Sequence, residues 1–136
     1  MVDRLTTMLH DAMPFAEVLG IAVVSADQTG AVATVAWAPD RCTVAGILHG
    51  GYLMAVADSV GALAASLHLP AGATTGTIES KTNFLRPCTG GNLTVTSTPI
   101  HVGRTTIVVQ TDITREDAKL VTRTTQTQSV ALPVPL

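Results

Sequence analysis

The sequence predicts an α+β domain in which one long helix packs against an antiparallel sheet. Residues 50–68 form a single run rich in Ala, Val and Leu, without proline. Six segments rich in Val, Ile and Thr, two before this run and four after it, are separated by short turn sequences. Such residues favour strands, and short turns join antiparallel neighbours. One long helix beside such a sheet forms a two-layer structure.

The first 19 residues predict a helical segment followed by a hairpin. Residues 3–12 fit a short amphipathic helix that stops before Pro14, and "PFAEVLG" fits one further turn ended by Gly20. The runs "IAVVSAD" and "AVATVAWA", separated by "QTG", predict two paired strands. The stretch "PDRCTVAGIL" then predicts a loop without a regular period.

Four strands are expected after the long helix, and turn residues lie between them. They cover residues 74–86, 91–101, 104–114 and 119–131. A chain of 136 residues fits one domain, so we expect residues 1–136 to fold as a single unit.

Composition excludes several classes of function. The net charge is −2 and there is no basic run, which argues against a nucleic-acid partner. Cys42 and Cys88 form no CxxC pair, which argues against a metal or redox motif and fits free thiols in the cytoplasm. Only 13% of the residues are charged and 46% are hydrophobic, with a mean hydropathy of +0.39. We therefore expect apolar surface to be covered in an oligomer.

A membrane location is not expected. Residues 47–67 are long enough to span a bilayer, but Asp58 at their midpoint costs about 2.5–3.5 kcal/mol on an insertion scale. The N-terminus lacks the apolar region of a signal peptide. The segment is instead predicted to be a buried helix of a cytoplasmic protein.

The long helix has two different faces. One stripe with alternating steps of three and four is expected to pack on the sheet; it contains Leu53, Val56, Val60, Leu63 and Leu67. Asp58, the one Asp, Glu, Lys or Arg within residues 46–70, lies opposite. Its neighbours there are Gly51, Met54, Ala55, Gly61, Ala62 and Ala65. Small residues permit close approach, so we expect a second subunit or an acyl ligand to cover this face.

Asp58 is a candidate base or nucleophile, because a carboxylate in an apolar crevice suits that chemistry. An alternative is that Asp58 caps a backbone amide. His49 and Gly50 stand where the helix begins, and the first N–H groups of a helix have no partner within it. They can donate to a developing oxyanion. His49 and Asp58 are nine residues apart, about 13 Å along a helix, so a common substrate requires two antiparallel helices in a twofold dimer.

These stretches resemble a known family. "GILHGGYLMAVADSVG", "NFLRPCTGGNLTV", "VGRTTIVVQTDI" and "KLVTRTTQTQ" are similar to the hotdog-fold thioesterases of the PaaI-like group, over roughly residues 15–131. The specific feature is HGG with an acid nine residues after the histidine. The resemblance implies a long helix wrapped by a curved antiparallel sheet, and a dimer that often pairs again into a tetramer. It also implies hydrolysis of an acyl-CoA or acyl-carrier thioester without a metal or another cofactor.

The resemblance also implies roles for single residues. Asp58 is the expected base or nucleophile, the Gly50 amide polarises the thioester carbonyl from the facing chain, and His49 positions the loop and substrate. Related enzymes commonly carry Asn or Gln six residues before this histidine, where this chain has Thr43. In relatives that residue helps hold the carbonyl or the water; the Thr43 hydroxyl can do part of this, but its shorter reach predicts reduced activity or an altered substrate. Thr77 falls where relatives place a hydroxyl near the reacting centre.

Further substrate contacts are expected on the Asp58 face and on the second half of the chain. Gly51, Met54 and Ala62 are expected to line the substrate site, while Arg86, Arg104 and Lys119 can meet the phosphates of coenzyme A. Two alternatives stay open. One is a hotdog protein that binds acyl-CoA without turning it over, and the other is a hotdog hydratase or dehydratase acting on enoyl thioesters.

Overall fold

The computed structural model describes residues 3–134, so the first two and last two residues of the predicted 1–136 domain lie outside it. Three α-helices and six strands account for most of this range. In chain order they are α1 (Arg4–Ala12), α2 (Pro14–Val18), β1 (Ala22–Asp27), β2 (Gly30–Ala36), α3 (Gly50–Ser66), β3 (Thr77–Phe84), β4 (Asn92–Val102), β5 (Thr106–Thr114) and β6 (Leu120–Ser129).

Helices α1 and α2 both lie within the predicted N-terminal helical segment. Asp3 caps α1, where its carboxylate accepts from the N–H groups of Leu5 and Thr6 at 2.8 and 3.1 Å. The buried Thr6 hydroxyl accepts from the Val23 N–H at 2.8 Å, which ties α1 to β1. Gly20 follows α2 with a φ of +74°, a conformation that favours glycine.

The sheet is antiparallel and has the order β1-β2-β4-β5-β6-β3. It differs from a simple succession of hairpins, because β3 pairs with β6 and not with the strand that follows it. Residues 85–91 instead carry the chain across to β4, which pairs with β2. The predicted α+β fold, with one long helix against this sheet, is confirmed. β3 is therefore an edge strand, and its Thr77 contacts Asp58 of α3.

The core lies between α3 and the inner face of the sheet. Val56, Val60 and Ala64 of α3 are completely buried, as are Val95 and Val109 on β4 and β5. Apolar burial of this kind is the main favourable contribution to folding.

The predicted core stripe is only partly correct. Its first three members, Leu53 to Val60, are buried, but Leu63 and Leu67 are only half-buried. Those two leucines line a cavity beside α1, whereas Ala57 and Ala64 complete the stripe against the sheet. The helix ends at Ser66, two residues before the predicted end.

The opposite face of α3 is also covered in part by the chain itself, which the sequence did not predict. Ala65 is completely buried, and Gly61 is buried against the side chain of Gln126 on β6. Only the rest of that face is available to a ligand or a second subunit. The inward row of β6 is polar, since its buried members include Thr124, Gln126 and Gln128.

The loop before α3 is held by specific hydrogen bonds. It contains two 3₁₀ turns, Pro39–Arg41 and Val44–Gly46, where the sequence predicted only a loop. The Trp37 indole N–H donates to the Gly46 carbonyl at 2.8 Å, and the His49 N–H donates to the Arg41 carbonyl at 2.9 Å. These bonds fix the chain where α3 begins. Within residues 3–134, no helix combines the length and hydropathy needed to cross a membrane.

Candidate active site

The start of α3 presents one unoccupied backbone donor. His49 is the N-cap, and its Nδ1 accepts from the Gly51 N–H at 2.8 Å. A neutral imidazole that accepts at Nδ1 carries its proton on Nε2. Within the described part of the chain, the Gly50 N–H has no hydrogen-bond partner. Of the two glycine amides, Gly50 is therefore the available donor, and Gly51 is occupied by the cap.

Phe84 at the end of β3 closes one side of this donor. A Cβ on Gly50 would lie 3.1 Å from the Phe84 ring, closer than most real Cβ contacts. Packing against Phe84 therefore favours glycine at this position. The ring also brings the edge strand β3 directly to the start of α3.

Asp58 lies in the middle of α3 and is half-buried. Its Oδ1 accepts from the Thr77 hydroxyl at 2.6 Å and from Nε2 of Gln126 at 3.1 Å. No hydrogen bond within residues 3–134 occupies Oδ2. The alternative in which Asp58 caps a backbone amide is wrong, because both of its hydrogen bonds come from side chains. One carboxylate oxygen is fixed, and the other is available for chemistry.

A chain of polar side chains continues from Asp58 along the inner face of the sheet. The Thr77 hydroxyl accepts from Nε2 of Gln128 at 2.7 Å, and Oε1 of Gln128 accepts from the Thr75 hydroxyl at 3.1 Å. Gln126 and Gln128 are completely buried. Neither glutamine was predicted from the sequence to belong to the site. Their signal was the spacing of two within "TQTQ", which puts both on one face of a strand.

Besides a cavity of about 430 Å³ whose lining includes His49 and Tyr52, two cavities border α3 near Gly50 and Asp58. One of about 360 Å³ includes Gly50, Leu53, Phe84 and Arg86 in its lining. The other, of about 400 Å³, lies between α1 and the second half of α3 and is mainly apolar. Its lining includes Ala62, one helical turn beyond Asp58, together with Leu63, Met8 and Thr75. We call the second one the α1 cavity.

The structure separates the three predicted phosphate-binding cations. Arg86 lines the Gly50 cavity and donates to the Leu120 carbonyl at 3.0 Å, so it lies near Lys119. Arg104 precedes β5 and Lys119 follows it, so they stand at opposite ends of a strand of nine residues, about 30 Å apart. Within one chain Arg86 is therefore the one beside the Gly50 cavity, and contact of Arg104 and Lys119 with coenzyme A stays a prediction.

Two other predicted contacts lie outside the hydrogen-bonded group. Thr43 is exposed on the loop, where its N–H donates to the Ile47 carbonyl at 2.8 Å. Across residues 3–134 its hydroxyl forms no hydrogen bond with His49 or Asp58. Met54 is 39% exposed on α3 and is not in the lining of either cavity. Solvent or a second copy of the chain can therefore contact Met54.

Tyr52 links the site helix to α2. Its hydroxyl donates to the Leu19 carbonyl at 2.6 Å, and the Arg41 guanidinium lies 5.3 Å from the centre of its ring. Burial raises the pKa of the Tyr52 phenol above its usual value of 10.0. Within the described range, no cluster of three or more His, Cys, Asp or Glu side chains is placed to hold a metal ion.

Relatives of known sequence match the central part of the chain. A Haemophilus influenzae protein whose name gives esterase as a provisional assignment is 44% identical over 75 residues, which are 55% of this chain. The match spans 54% of that relative, so the chain covers about half of its length.

Solved structures match nearly the whole chain. A thioesterase from Haemophilus influenzae superposes with a TM-score of 0.89 and 31% identity, over 99% of this chain and 93% of that one. A Streptococcus pneumoniae protein described as a hypothetical thioesterase, crystallised with coenzyme A, has a TM-score of 0.81 and 26% identity, over 96% of this chain and 99% of that one.

The family is shown by a sequence profile as well as by this likeness. The profile of the thioesterase superfamily matches residues 45–122, more than half of the chain, and this range includes the start of α3, Asp58 and Thr77. Together with the antiparallel sheet around α3, the match confirms the resemblance found in the sequence. The chain belongs to the thioesterase superfamily and has its hotdog fold.

Proposed function

We propose that the protein hydrolyses an acyl-CoA or related acyl thioester, with Asp58 as the general base or nucleophile. The observation that carries this proposal is the state of the Asp58 carboxylate. Thr77 and Gln126 hold Oδ1, Oδ2 has no hydrogen bond within residues 3–134, and the next helical turn lines the apolar α1 cavity. A fixed carboxylate with one available oxygen is suited to proton transfer or attack.

As a base, Asp58 takes a proton from water while the water oxygen attacks the thioester carbonyl. The resulting tetrahedral intermediate carries its negative charge on the former carbonyl oxygen. The Gly50 N–H, at the positive end of α3, donates to that oxygen. The C–S bond then breaks, and the leaving thiolate takes the proton from Asp58. The products are a carboxylic acid and a free thiol.

The site proposed here is shared between two copies of the chain. Gly50 and Asp58 are eight residues apart on α3, about 12 Å along its axis, so one chain cannot place both on one carbonyl. Antiparallel α3 helices in a twofold dimer bring each Gly50 to the other chain's Asp58. The edge strand β3 suits a contact between the two chains. Within one chain its Phe84 lies against Gly50 and its Thr77 bonds to Asp58, while its Ile78 is exposed. Exposed apolar edge strands pair readily with another chain.

The cavities support the choice of substrate. The α1 cavity is apolar and fits the acyl group, whereas Arg86 beside Gly50 is a cation for the phosphates of coenzyme A. The Streptococcus pneumoniae relative crystallised with coenzyme A supports the same choice. A coenzyme A thioester as substrate is consistent with action in the cytoplasm.

Mixing two inactive variants tests both the chemistry and the shared site. Asp58→Asn removes the base, and Gly50→Pro removes the N–H donor. Proline is tolerated at the first position of a helix, and His49 already has the extended backbone (φ −64°, ψ 135°) that must precede proline. Gly50→Ala is the matched control, since its Cβ also presses on Phe84 but the N–H stays.

Each variant alone is expected to lose thioesterase activity by orders of magnitude, and Gly50→Ala to lose much less than Gly50→Pro. Refolding the two variants together gives mixed dimers with one intact site, so about a quarter of the wild-type activity returns. Release of free thiol from a panel of acyl-CoAs measures it. Near-wild-type hydrolysis by Asp58→Asn, or tight acyl-CoA binding without thiol release by the wild type, contradicts the function. Absence of complementation contradicts the shared site.

A further inference from the structure

A buried glutamine beneath α3 reaches the carboxylate from the side opposite to solvent. Gln126 has no exposed surface, yet its Nε2 donates to Oδ1 of Asp58 at 3.1 Å. It belongs to β6, which lies between β5 and β3 in the sheet. Burying a polar side chain is costly unless its hydrogen bonds are made, and Oε1 of Gln126 has no hydrogen-bond partner within residues 3–134, so this position requires a specific reason.

The helix is shaped to admit this amide. A Cβ at Gly61 would collide with Oε1 of Gln126 and would lie 2.7 Å from its Cδ. Glycine in the middle of a helix is unfavourable relative to alanine, but here it lets the amide lie against the helix backbone. Gly61 is one turn from Asp58, on the adjoining part of the helix surface. Gly61 and Gln126 together therefore bring a donor to the carboxylate.

The two donors on Asp58 differ in how far the protein encloses them. Thr77 is exposed and lies at the start of an edge strand next to a bulge, between Thr77 and Glu79. Gln126 is enclosed in a strand paired on both sides. Both donate to the same oxygen, Oδ1, so together they fix the rotation of the carboxylate and leave Oδ2 as its available oxygen. The buried donor is the one that solvent and substrate do not displace.

We propose that Gln126 is a positioning residue, which acts through Asp58 by holding Oδ1 so that Oδ2 stays aimed at the thioester carbonyl. It does not touch the substrate. This inference rests on the proposed function, since it assigns Gln126 a role only if Asp58 is the base or nucleophile. A small misplacement of a catalytic group lowers the rate by up to about 100-fold, while substrate binding is less affected.

Gln126→Leu tests this role, because leucine has a similar volume and cannot donate. Thr124→Val is the matched control. Thr124 is buried two residues earlier on the same face of β6, and its hydroxyl bonds to Thr82 at 2.8 Å and not to Asp58. Both variants lose one buried hydrogen bond, but only Gln126→Leu releases the carboxylate. We measure kcat, KM, dimer content and the unfolding midpoint for each.

The expected result is a kcat about 10- to 100-fold lower for Gln126→Leu, with KM within about twofold of the wild type. Thr124→Val keeps its kcat, and both variants remain dimeric. A Gln126→Leu kcat within about threefold of the Thr124→Val value refutes the positioning role. If Asp58→Asn stays active, the proposed function fails. If Asp58→Asn is inactive but Gln126→Leu keeps its kcat, this inference alone fails.

Gly61→Ala keeps the test decisive if Gln126→Leu does not fold. The added methyl group displaces the Gln126 amide without removing it, and alanine favours the helix. The same drop in kcat with unchanged KM is expected. A wild-type kcat in Gly61→Ala also contradicts the proposal, because the methyl would lie within 3.1 Å of the Nε2 that donates to Asp58.

Discussion

Replacing Thr77 by valine removes one hydroxyl that serves two partners. The hydroxyl donates to Oδ1 of Asp58 and accepts from Nε2 of Gln128, at 2.6 and 2.7 Å. Valine has nearly the same shape and favours a strand, so packing changes little. The variant therefore isolates the effect of the two hydrogen bonds.

The two losses have different sizes. Thr77 is exposed, so water can replace it at the carboxylate. Gln128 is completely buried, so its amide N–H loses its partner without replacement, which costs about 1–3 kcal/mol. We expect the free energy of unfolding to fall by that amount. We also expect kcat to fall by about 10- to 100-fold, because a water molecule at Oδ1 does not fix the rotation of the carboxylate as the Thr77 hydroxyl does.

Urea unfolding and thiol-release kinetics measure the two effects. Thr77→Ser keeps a hydroxyl and should lose much less of both quantities. Thr125→Val is the matched control for a strand threonine, since Thr125 is exposed on the outer face of β6, and its unfolding free energy should change by less than about 0.5 kcal/mol. If Thr77→Val matches the Thr125→Val variant in stability and kcat, the hydrogen-bonded chain from Asp58 to Gln128 has no energetic role.

Two further predictions concern the walls of the site. Ala62→Phe fills part of the α1 cavity, so kcat/KM for long or bulky acyl-CoAs should fall about 10-fold or more. The kcat/KM for acetyl-CoA or propionyl-CoA should not change. Equal losses for all chain lengths would place the acyl group elsewhere. Tyr52→Phe removes the hydrogen bond to the Leu19 carbonyl and should lower the unfolding free energy by about 0.5–1.5 kcal/mol. Because burial raises the pKa of Tyr52, the folded state favours the neutral phenol. The contribution of this preference to the unfolding free energy is complete below pH 10.0 and is lost as the pH rises through the folded-state pKa. Urea unfolding on both sides of pH 10.0 should therefore show the alkaline loss in the wild type but not in Tyr52→Phe.

The helix of the site was well predicted because its pattern is local. The run without proline, the two glycines at its start and the lone Asp58 are all visible in the order of residues. Backbone N–H groups without a partner at His49 and Gly50 were predicted from the geometry of any helix start, and the Gly50 N–H is the one that the structure leaves available. That the His49 side chain occupies the Gly51 N–H and leaves the Gly50 N–H available was not predicted, because it depends on the rotamer of His49.

The partners of Asp58 were only partly predicted. Thr77 was assigned near the reacting centre from the family resemblance, and the structure places its hydroxyl on Asp58. Gln126 was missed, because the spacing in "TQTQ" shows that both glutamines share one face of a strand but not that this face is the buried one. Its contact with Asp58 spans 68 residues of sequence and exists only because β6 lies beneath α3.

The sequence alone determined the α+β class, the long helix and the carboxylate set apart within it, because helix and strand periods and turn residues act over a few neighbours. Only the tertiary structure decided that β3 pairs with β6, that Arg104 lies far from Arg86, and that Gly61 admits Gln126 to the carboxylate. Strand pairing and the burial of polar side chains depend on contacts between distant parts of the chain, and no local pattern encodes them.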